Sequence, residues 1–345
     1  MIEKELSEIS LPISEPEYRQ MPELSYSTLS TYESLGFSGL DHLFDKKESP
    51  SLLLGSMVDA ILTGGEEEFN SLYFVADFPA LGDKEQKIAD YLFSQFGSNY
   101  DSFGNIPATY ILDAANTFEF QKNWKDDTRV KVLSERCFLY YQLKYQAGTK
   151  TIVNEETFEQ VKNCVIALHE SPATSGYFAD NDELSPIRRY YQLKFKAIIE
   201  GVGYRNMADL IVVDYEKKVV YPIDLKTSST PEWEFEKSFI KWHYLIQAIV
   251  YWNIIRINLD KDPYFKDFKL DDYRFIVVNA KTLTPLVWKF PLTQKRGPFI
   301  DDNGNEWPDP FELGKELQGY LNLRPQVPNG INLCGDNVIT CLKVK

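Results

Sequence analysis

Cysteine is scarce in this 345-residue chain: Cys137, Cys164, Cys334 and Cys341 stand far apart, with no C-x-x-C pair. A zinc ribbon is therefore unsupported, and a reduced, cytoplasmic setting is the simple expectation. Histidine is scarcer still, and His42, His169 and His243 are not spaced as a zinc pair. No apolar run reaches the ~18 residues of a membrane span. The longest candidate, 246–255, is broken by Gln247 and Asn253. The opening Met1-Ile-Glu-Lys-Glu-Leu6 lacks a basic stretch leading into an apolar one, so no signal peptide is expected. Positive charge is in deficit, 37 Lys and Arg against 51 Asp and Glu, for a formal net charge of -14. That balance argues against coating nucleic acid through bulk charge, though not against a local basic cleft. G-x-G-x-x-G after a strand, G-x-x-x-x-G-K-[ST] and G-x-S-x-G are also missing, as are repeats and low-complexity tracts.

What is present is ample apolar material, 43% hydrophobic and 14% aromatic, enough for a core without disulfide staples. The length suits two domains, or one α/β domain with a sizeable insertion. Residues 1–25 read as a polar, loosely packed arm without periodicity, and 26–345 as a single domain. A helix starts near Tyr26, with Ser27 or Ser30 as its cap. Residues 52–62 form a helix apolar on nearly every face, stopped by Thr63-Gly64-Gly65. A mostly helical insertion occupies about 66–180; in it Asn154 caps a helix with Phe158, Val161, Val165 and Leu168 on one face.

The core lies at about 181–290. Three β-rich runs, 190–199, 207–213 and 219–225, are separated by short turns and read as a meander. Thr230-Pro231 then starts a single helix reaching about 255. Strands at 273–279 and 286–290 follow, and the tail carries one short helix near 311–321.

The chemistry sits on the second and third core strands. Asp209 interrupts a buried β run, and Asp224 and Lys226 lie two apart on the next strand. Period-2 geometry puts that pair on one face, ~7 Å apart. Strands joined by a short turn usually pair, which brings Asp209 beside Asp224. Two carboxylates that close repel unless a cation intervenes, and a hard divalent ion takes oxygen ligands. Lys226 can then orient or help deprotonate an attacking water and offset transition-state charge. The bland alternative is a set of strand-end salt bridges, which for an isolated D-x-K is the commoner case.

Two further features shift that balance. Asp59 sits among apolar neighbours in Leu52-Leu-Leu-Gly-Ser-Met-Val-Asp59-Ala-Ile-Leu62 and needs a partner, either a metal or a nearby base. Gln247 and Tyr251 are four apart on the later helix, hence on one face, with His243 a turn earlier. Phe239, Trp242, Leu245, Ile246, Ile249 and Val250 supply that helix's packing surface.

Taken in order, Gly55-x-x-x-Asp59, Asp209, Asp224-x-Lys226-Thr227 and Gln247-x-x-x-Tyr251 resemble the motif set of the RecB-type PD-(D/E)XK nucleases. The likeness is closest to the phage and prophage exodeoxyribonuclease VIII (RecE-like) group. Ser27-Thr-Leu-Ser30, Asp224-Leu-Lys-Thr-Ser and His243-Tyr-Leu-Ile-Gln are similar to segments of that group. The resemblance implies an α/β fold with a restriction-endonuclease-like core, a mixed central sheet flanked by helices, carrying a helical insertion. It implies Mg²⁺- or Mn²⁺-dependent hydrolysis, with one or two ions, and DNA as partner through duplex ends or a single strand. Position by position, Asp209 and Asp224 would hold the metal with the Leu225 carbonyl, Lys226 would serve the water, and Gln247 and Tyr251 would position the strand. Asp59 stands where the family usually has histidine, which makes the site more negative. Glu183 loosely matches an upstream acid of some members. Two late cysteines do not make the cluster of the iron–sulfur members, so no iron–sulfur cluster is expected. Related exonucleases often form rings around DNA, so a homo-oligomer and a recombination partner protein are the further associations implied.

Charge is consistent with a local cleft: between Arg188 and Lys241, 10 Lys and Arg face 8 Asp and Glu. Arg188, Arg189, Lys194, Lys196 and Arg205 are the candidate phosphate contacts. The leading expectation is an exonuclease acting on duplex ends in phage or prophage recombination or DNA processing. A nuclease-fold protein that binds DNA or a partner without cutting is the alternative, and an endonuclease or nickase with the same site is a third reading.

Overall fold

The computed structural model describes residues 2–44, 49–291, 299–300, 304 and 306–323. Cys334 and Cys341 lie outside them. The chain divides into two compact units, Met1–Leu62 with Cys164–Lys345, and Thr63–Asn163.

The chain begins with helices α1 (Glu15–Gln20), α2 (Tyr26–Leu35) and α3 (Pro50–Leu72), the last broken at Gly65, whose φ of 67° leaves the helical region. The cap of α2 is Ser25 rather than Ser27 or Ser30: its side chain accepts from the Thr28 N–H, and Thr28 reciprocates. The lead-in before α2 is packed rather than loose. Leu6 and Leu24 are fully buried, the Leu11 N–H donates to the Lys194 carbonyl, and Leu24 bridges to Tyr204. Sparse apolar residues sufficed because Leu6 and Leu24 are inserted into the core, which periodicity over so short a stretch does not reveal.

The Thr63–Asn163 unit contains a short parallel ribbon, β1 (Tyr73–Val75) with β2 (Thr151–Val153), and helices α4 (Asp83–Phe96), α5 (Ala108–Thr117) and α6 (Asp126–Ala147). The ribbon was not anticipated in this helical stretch. These helices share a core of Ile88, Leu92, Ile111, Leu133 and Tyr141. Helix α7 (Glu155–Glu170) follows, capped by Asn154, whose Oδ1 accepts from the Thr157 N–H at 2.8 Å.

After α8 (Ser175–Phe178) comes the sheet: β3 (Ile187–Ile199), β4 (Val202–Asp214) and β5 (Val219–Ser228) form the expected antiparallel meander. Glu200 and Gly201, with φ of 51° and 87°, make the tight β3–β4 turn. Helices α9 (Phe235–Lys241) and α10 (Tyr244–Lys261) carry the chain over to β6 (Lys269–Leu270) and to β7 (Tyr273–Asn279), both parallel to β5. Strand β8 (Leu286–Phe290) pairs antiparallel to β7, giving the order β3-β4-β5-β7-β8. A small hairpin, β9 (Phe299–Ile300) with β10 (Glu306–Trp307), and helix α11 (Pro310–Leu323) complete the described chain. The result is a mixed central sheet flanked by helices. Strand β7 is buried at all seven residues, as expected for a central strand covered on both faces. Ile246, Ile249, Val250 and Ile254 of α10 share the main core with Phe195, Tyr204 and Phe275.

The single helix expected after Pro231 is instead interrupted. A 3₁₀ turn over Glu232–Glu234 precedes α9, and His243, left-handed at φ 57°, separates α9 from α10. Pro231 itself occupies the N-cap of that turn. Pro222 is tolerated inside β5 because it pairs with Ile211 on one side only: the β6 ladder ends at Val220 and the β7 ladder begins at Ile223.

Candidate active site

The site begins at a break in the sheet. The β4–β5 ladder ends at Leu210 opposite Ile223, one step short of Asp209 and Asp224, which share the same register. The Leu225 N–H donates to Asp209 Oδ2 at 3.0 Å, so a side-chain oxygen takes the place of a ladder acceptor where the strands part. On the other side of β4, the ladder skips Gln192, the residue in register with Asp209, which has a φ of 54°. Both neighbours of Asp209 thus leave the ladder at the same level, a local distortion of the kind that clusters at functional sites.

Asp224 is buried, with its Oδ2 2.7 Å from Lys226 Nζ and its Oδ1 accepting from the Gln247 side-chain amide. The two-residue spacing on β5 places acid and lysine on one face, as period 2 requires. Lys226 Nζ also lies 4.4 Å from the centre of the Tyr244 ring, a cation–π contact. Helix α3 brings in the third acid. A Cβ on Gly55 would stand 3.1 Å from Thr227 Oγ1, so glycine is what lets the helix approach the end of β5. One turn further on is Asp59, half-buried and without a hydrogen bond or ion pair among the described residues.

Replacing Gly55 by Val is expected to lever α3 off β5 and carry Asp59 with it. A displacement of about 1 Å can cost on the order of 10²-fold in rate. The fold should survive, because Gly55 touches only the strand end. Calorimetric titration with Mn²⁺ and a digestion assay check it; unchanged binding and rate would show that the close approach is immaterial.

The three carboxyls lie within electrostatic reach of one another. Burial, then repulsion from Asp224, pushes the Asp59 carboxyl up to about 7. Asp209 is raised by burial, then by Asp224 and Asp59. Burial alone would lower Lys226, but the adjoining Asp224 overrides it and holds the ammonium protonated. An acid raised in the folded state contributes stability that is full below its unfolded pKa of about 3.9 and is lost as pH rises through the folded value. In EDTA, melting temperature should therefore fall between about pH 4 and pH 7, and more gently in Asp59→Asn than in the parent. Parallel thermal melts across that range test this; identical slopes would contradict it.

Several side chains here were not anticipated. Tyr18 of α1, Tyr26 of α2 and Tyr273 of β7 all lie within electrostatic reach of Asp209 or Asp224. The Tyr273 hydroxyl and Gln247 Oε1 are buried without a hydrogen-bond partner among the described residues. Tyr251 is buried one turn after Gln247, and its hydroxyl is raised by burial, then by Tyr18, Asp224 and Asp209. A capped helix start was the only signal for Tyr26, and nothing in the lead-in marked Tyr18.

Other predicted residues lie elsewhere. Arg205 is buried, stacked 5.0 Å from the Tyr18 ring, with Nη1 donating to the carbonyls of Tyr18 and Met21. It anchors the lead-in instead of facing solvent as a phosphate contact would. Lys196 is exposed but paired with Glu23 at 3.2 Å, and Lys194 is half-buried with Nζ near the Gln192 carbonyl. Arg188 and Arg189 donate to backbone carbonyls of 176–187, and Glu183 is exposed on that same loop. The Trp242 side chain, expected in the packing surface, is 52% exposed: it caps the end of α9, and the left-handed His243 separates it from the packing face of α10.

As placed, no group of three or more His, Cys, Asp or Glu among the described residues forms a cation cage. Asp224 is turned toward Lys226 and Gln247, and Asp209 toward the Leu225 N–H. No helix among the described residues is long and apolar enough to cross a membrane. Comparison with family models and with curated proteins gives no match. Among solved structures, the chain is similar to a candidate exonuclease from Eubacterium rectale, at 14% identity and a TM-score of 0.42, over 92% of this chain and 85% of that one. A likeness so distant leaves function to be argued from the residues.

Proposed function

We propose that this chain is a Mg²⁺- or Mn²⁺-dependent deoxyribonuclease that hydrolyses DNA phosphodiester bonds, acting as an exonuclease on duplex ends in phage or prophage recombination or DNA processing. The observation that carries the reading is the convergence of Asp59, Asp209 and Asp224 on Lys226. A purely structural set of salt bridges would match each acid to a base. Here one ammonium, paired with Asp224, lies within electrostatic reach of all three carboxyls, and no arginine among the described residues pairs with them.

The donor chemistry fits a hard divalent ion. It is all oxygen, carries excess negative charge, and repels itself until a cation lies within it. Asp59, Asp209 and Asp224 would hold the ion. In an extended strand the N–H and C=O of one residue project to the same side, so the Leu225 carbonyl opens toward Asp209 as a further donor. When bound, the ion supplies Lewis acidity toward a phosphate oxygen and a nearby water. Lys226, kept protonated by Asp224, donates hydrogen bonds to the attacking water or the phosphate and offsets developing negative charge. It orients the water rather than deprotonating it. Gln247 fixes the Asp224 carboxyl through its amide hydrogen bond, and Tyr251 stands on the same helical face.

The test is digestion of end-labelled linear duplex, with closed-circular DNA alongside. Loss of linear DNA with Mg²⁺ or Mn²⁺, none with EDTA, and survival of the circle are expected. Attack on the circle would make the activity endonucleolytic. A second reading, a nuclease-fold protein that binds without cutting, is favoured by one observation: the carboxyls do not form a cage as placed. Calorimetry separates the two, since an inert scaffold would not take up Mn²⁺ in a manner sensitive to Asp209→Asn.

A further inference from the structure

Close along the chain to the residues around the acids stands an exposed indole that the hydrolytic chemistry does not use. Trp242, at the junction of α9 and α10, is 52% exposed, and Trp233 at the start of the same short segment is 58% exposed. Lys241 Nζ lies 4.7 Å from the Trp242 ring centre and has no ion-pair partner among the described residues. A large indole held open to solvent calls for an explanation, because α9 and α10 bury most of their other aromatic rings.

The backbone connects this indole closely to the acids. The Trp242 carbonyl accepts from the Tyr26 hydroxyl at 2.5 Å, and Tyr26 is a near neighbour of Lys226 and Asp224. Two residues on, the Tyr244 ring carries Lys226 at 4.4 Å. Two residues of chain span at most about 7 Å. The Trp242 backbone is therefore pinned from both sides, by a hydroxyl and by a left-handed His243, next to the lysine that would meet the scissile phosphate.

We infer that Trp242, with Lys241, is a stacking platform for the base of an unpaired nucleotide adjoining the scissile phosphate. The inference rests on the nuclease reading and narrows its substrate to a single-stranded or frayed DNA end. An aromatic face stacks on any base without reading sequence, and a neighbouring cation meets the backbone phosphate that follows. A base inside a duplex is already stacked on both neighbours and offers no free face, so the platform takes a base freed at an end. A purely apolar protein partner would not call for an unpaired ammonium against the ring. A strand that brings both a base face and a phosphate meets the ring and the ammonium together, and that is the occupant we infer.

The experiment compares the full chain with Trp242→Ala and Trp242→Phe. Binding of a labelled short oligothymidylate is followed by fluorescence anisotropy, with Ca²⁺ in place of Mg²⁺, against an oligonucleotide of equal length built from abasic sites. Hydrolysis of bis(4-nitrophenyl) phosphate and of end-labelled duplex is measured in parallel with Mg²⁺. Trp242→Ala should bind oligothymidylate about tenfold more weakly, Trp242→Phe should stay near the parent, and the abasic strand should not distinguish them. Equal binding of oligothymidylate by parent and Trp242→Ala, an equal loss on the abasic strand, or no binding by the parent overturns the platform. Hydrolysis reports separately. A parent that cuts neither substrate but still shows the Trp242-dependent preference would refute the nuclease reading and retain the platform.

Discussion

Lys226→Met is expected to lower Mg²⁺-dependent digestion of linear duplex DNA by about 10²–10³-fold; it also leaves Asp224 without its cation, so digestion is compared at a temperature where circular dichroism shows the variant folded. Methionine keeps an unbranched stem over the Tyr244 ring and removes the ammonium, so the change falls on charge rather than packing. Lys226 contacts Asp224 within the cluster and meets substrate only at the reacting phosphate. Its loss should therefore appear in kcat more than in KM. Asp224 offers the complementary test, but the variant must be chosen with care. Asp224→Ala removes one member of a buried ion pair, leaving Lys226 unmatched at a cost of about 3–5 kcal/mol. Asp224→Asn retains an acceptor for Gln247 and separates lost chemistry from lost folding. Circular dichroism and steady-state digestion, run side by side, decide the matter. Full activity in both Lys226→Met and Asp224→Asn would refute the assignment.

Glu232→Ala should produce a comparable loss of stability, about 3–5 kcal/mol, through hydrogen bonding rather than chemistry. This side chain is fully buried. Its Oε1 accepts from the N–H groups of Asn279 and Thr284, both at 3.0 Å, and its Oε2 from the hydroxyls of Thr282 at 2.5 Å and Thr284 at 3.3 Å. Its own carbonyl accepts from Trp288 Nε1 at 3.1 Å. One carboxyl group therefore holds the β7–β8 turn, where Leu283 is left-handed, against the segment that leaves β5. Truncation strands several buried donors at once, each costing about 1–3 kcal/mol when unmet. Urea unfolding of Glu232→Ala and Glu232→Gln provides the check, with the glutamine variant, which keeps one acceptor oxygen, falling between alanine and parent. A loss below about 1 kcal/mol in Glu232→Ala would mean that the turn is held by its strands alone.

Glu232 also illustrates what a linear reading misses. In sequence it is an ordinary acid after a proline, and nothing nearby announces that its partners lie about fifty residues downstream. The same holds for Arg205, a surface cation by its place in the chain, which in the folded protein anchors the lead-in. A continuous helix would place Trp242 on a packing face. One left-handed residue, His243, was enough to turn it out. Strand and helix types were readable because period-2 and period-3.6 patterns are local, and so were the meander, the Asn154 cap and the stop at Gly65. The two short strands of the helical unit carried too few residues to show a period.

For the site, the chain itself specified which residues share a face: Asp224 with Lys226 through the strand repeat, Gln247 with Tyr251 through the helix repeat, and Gly55 one turn ahead of Asp59. These are consequences of backbone geometry within a few residues, and no distant contact alters them. The tertiary structure alone decided that the three acids come within electrostatic reach of one another and that Asp224 keeps Lys226 protonated. It also placed tyrosines from the lead-in and from β7 around the cluster, and made the β4 ladder fail on both sides of Asp209. Those outcomes depend on burial and on the approach of segments far apart in sequence, quantities that a linear pattern does not encode.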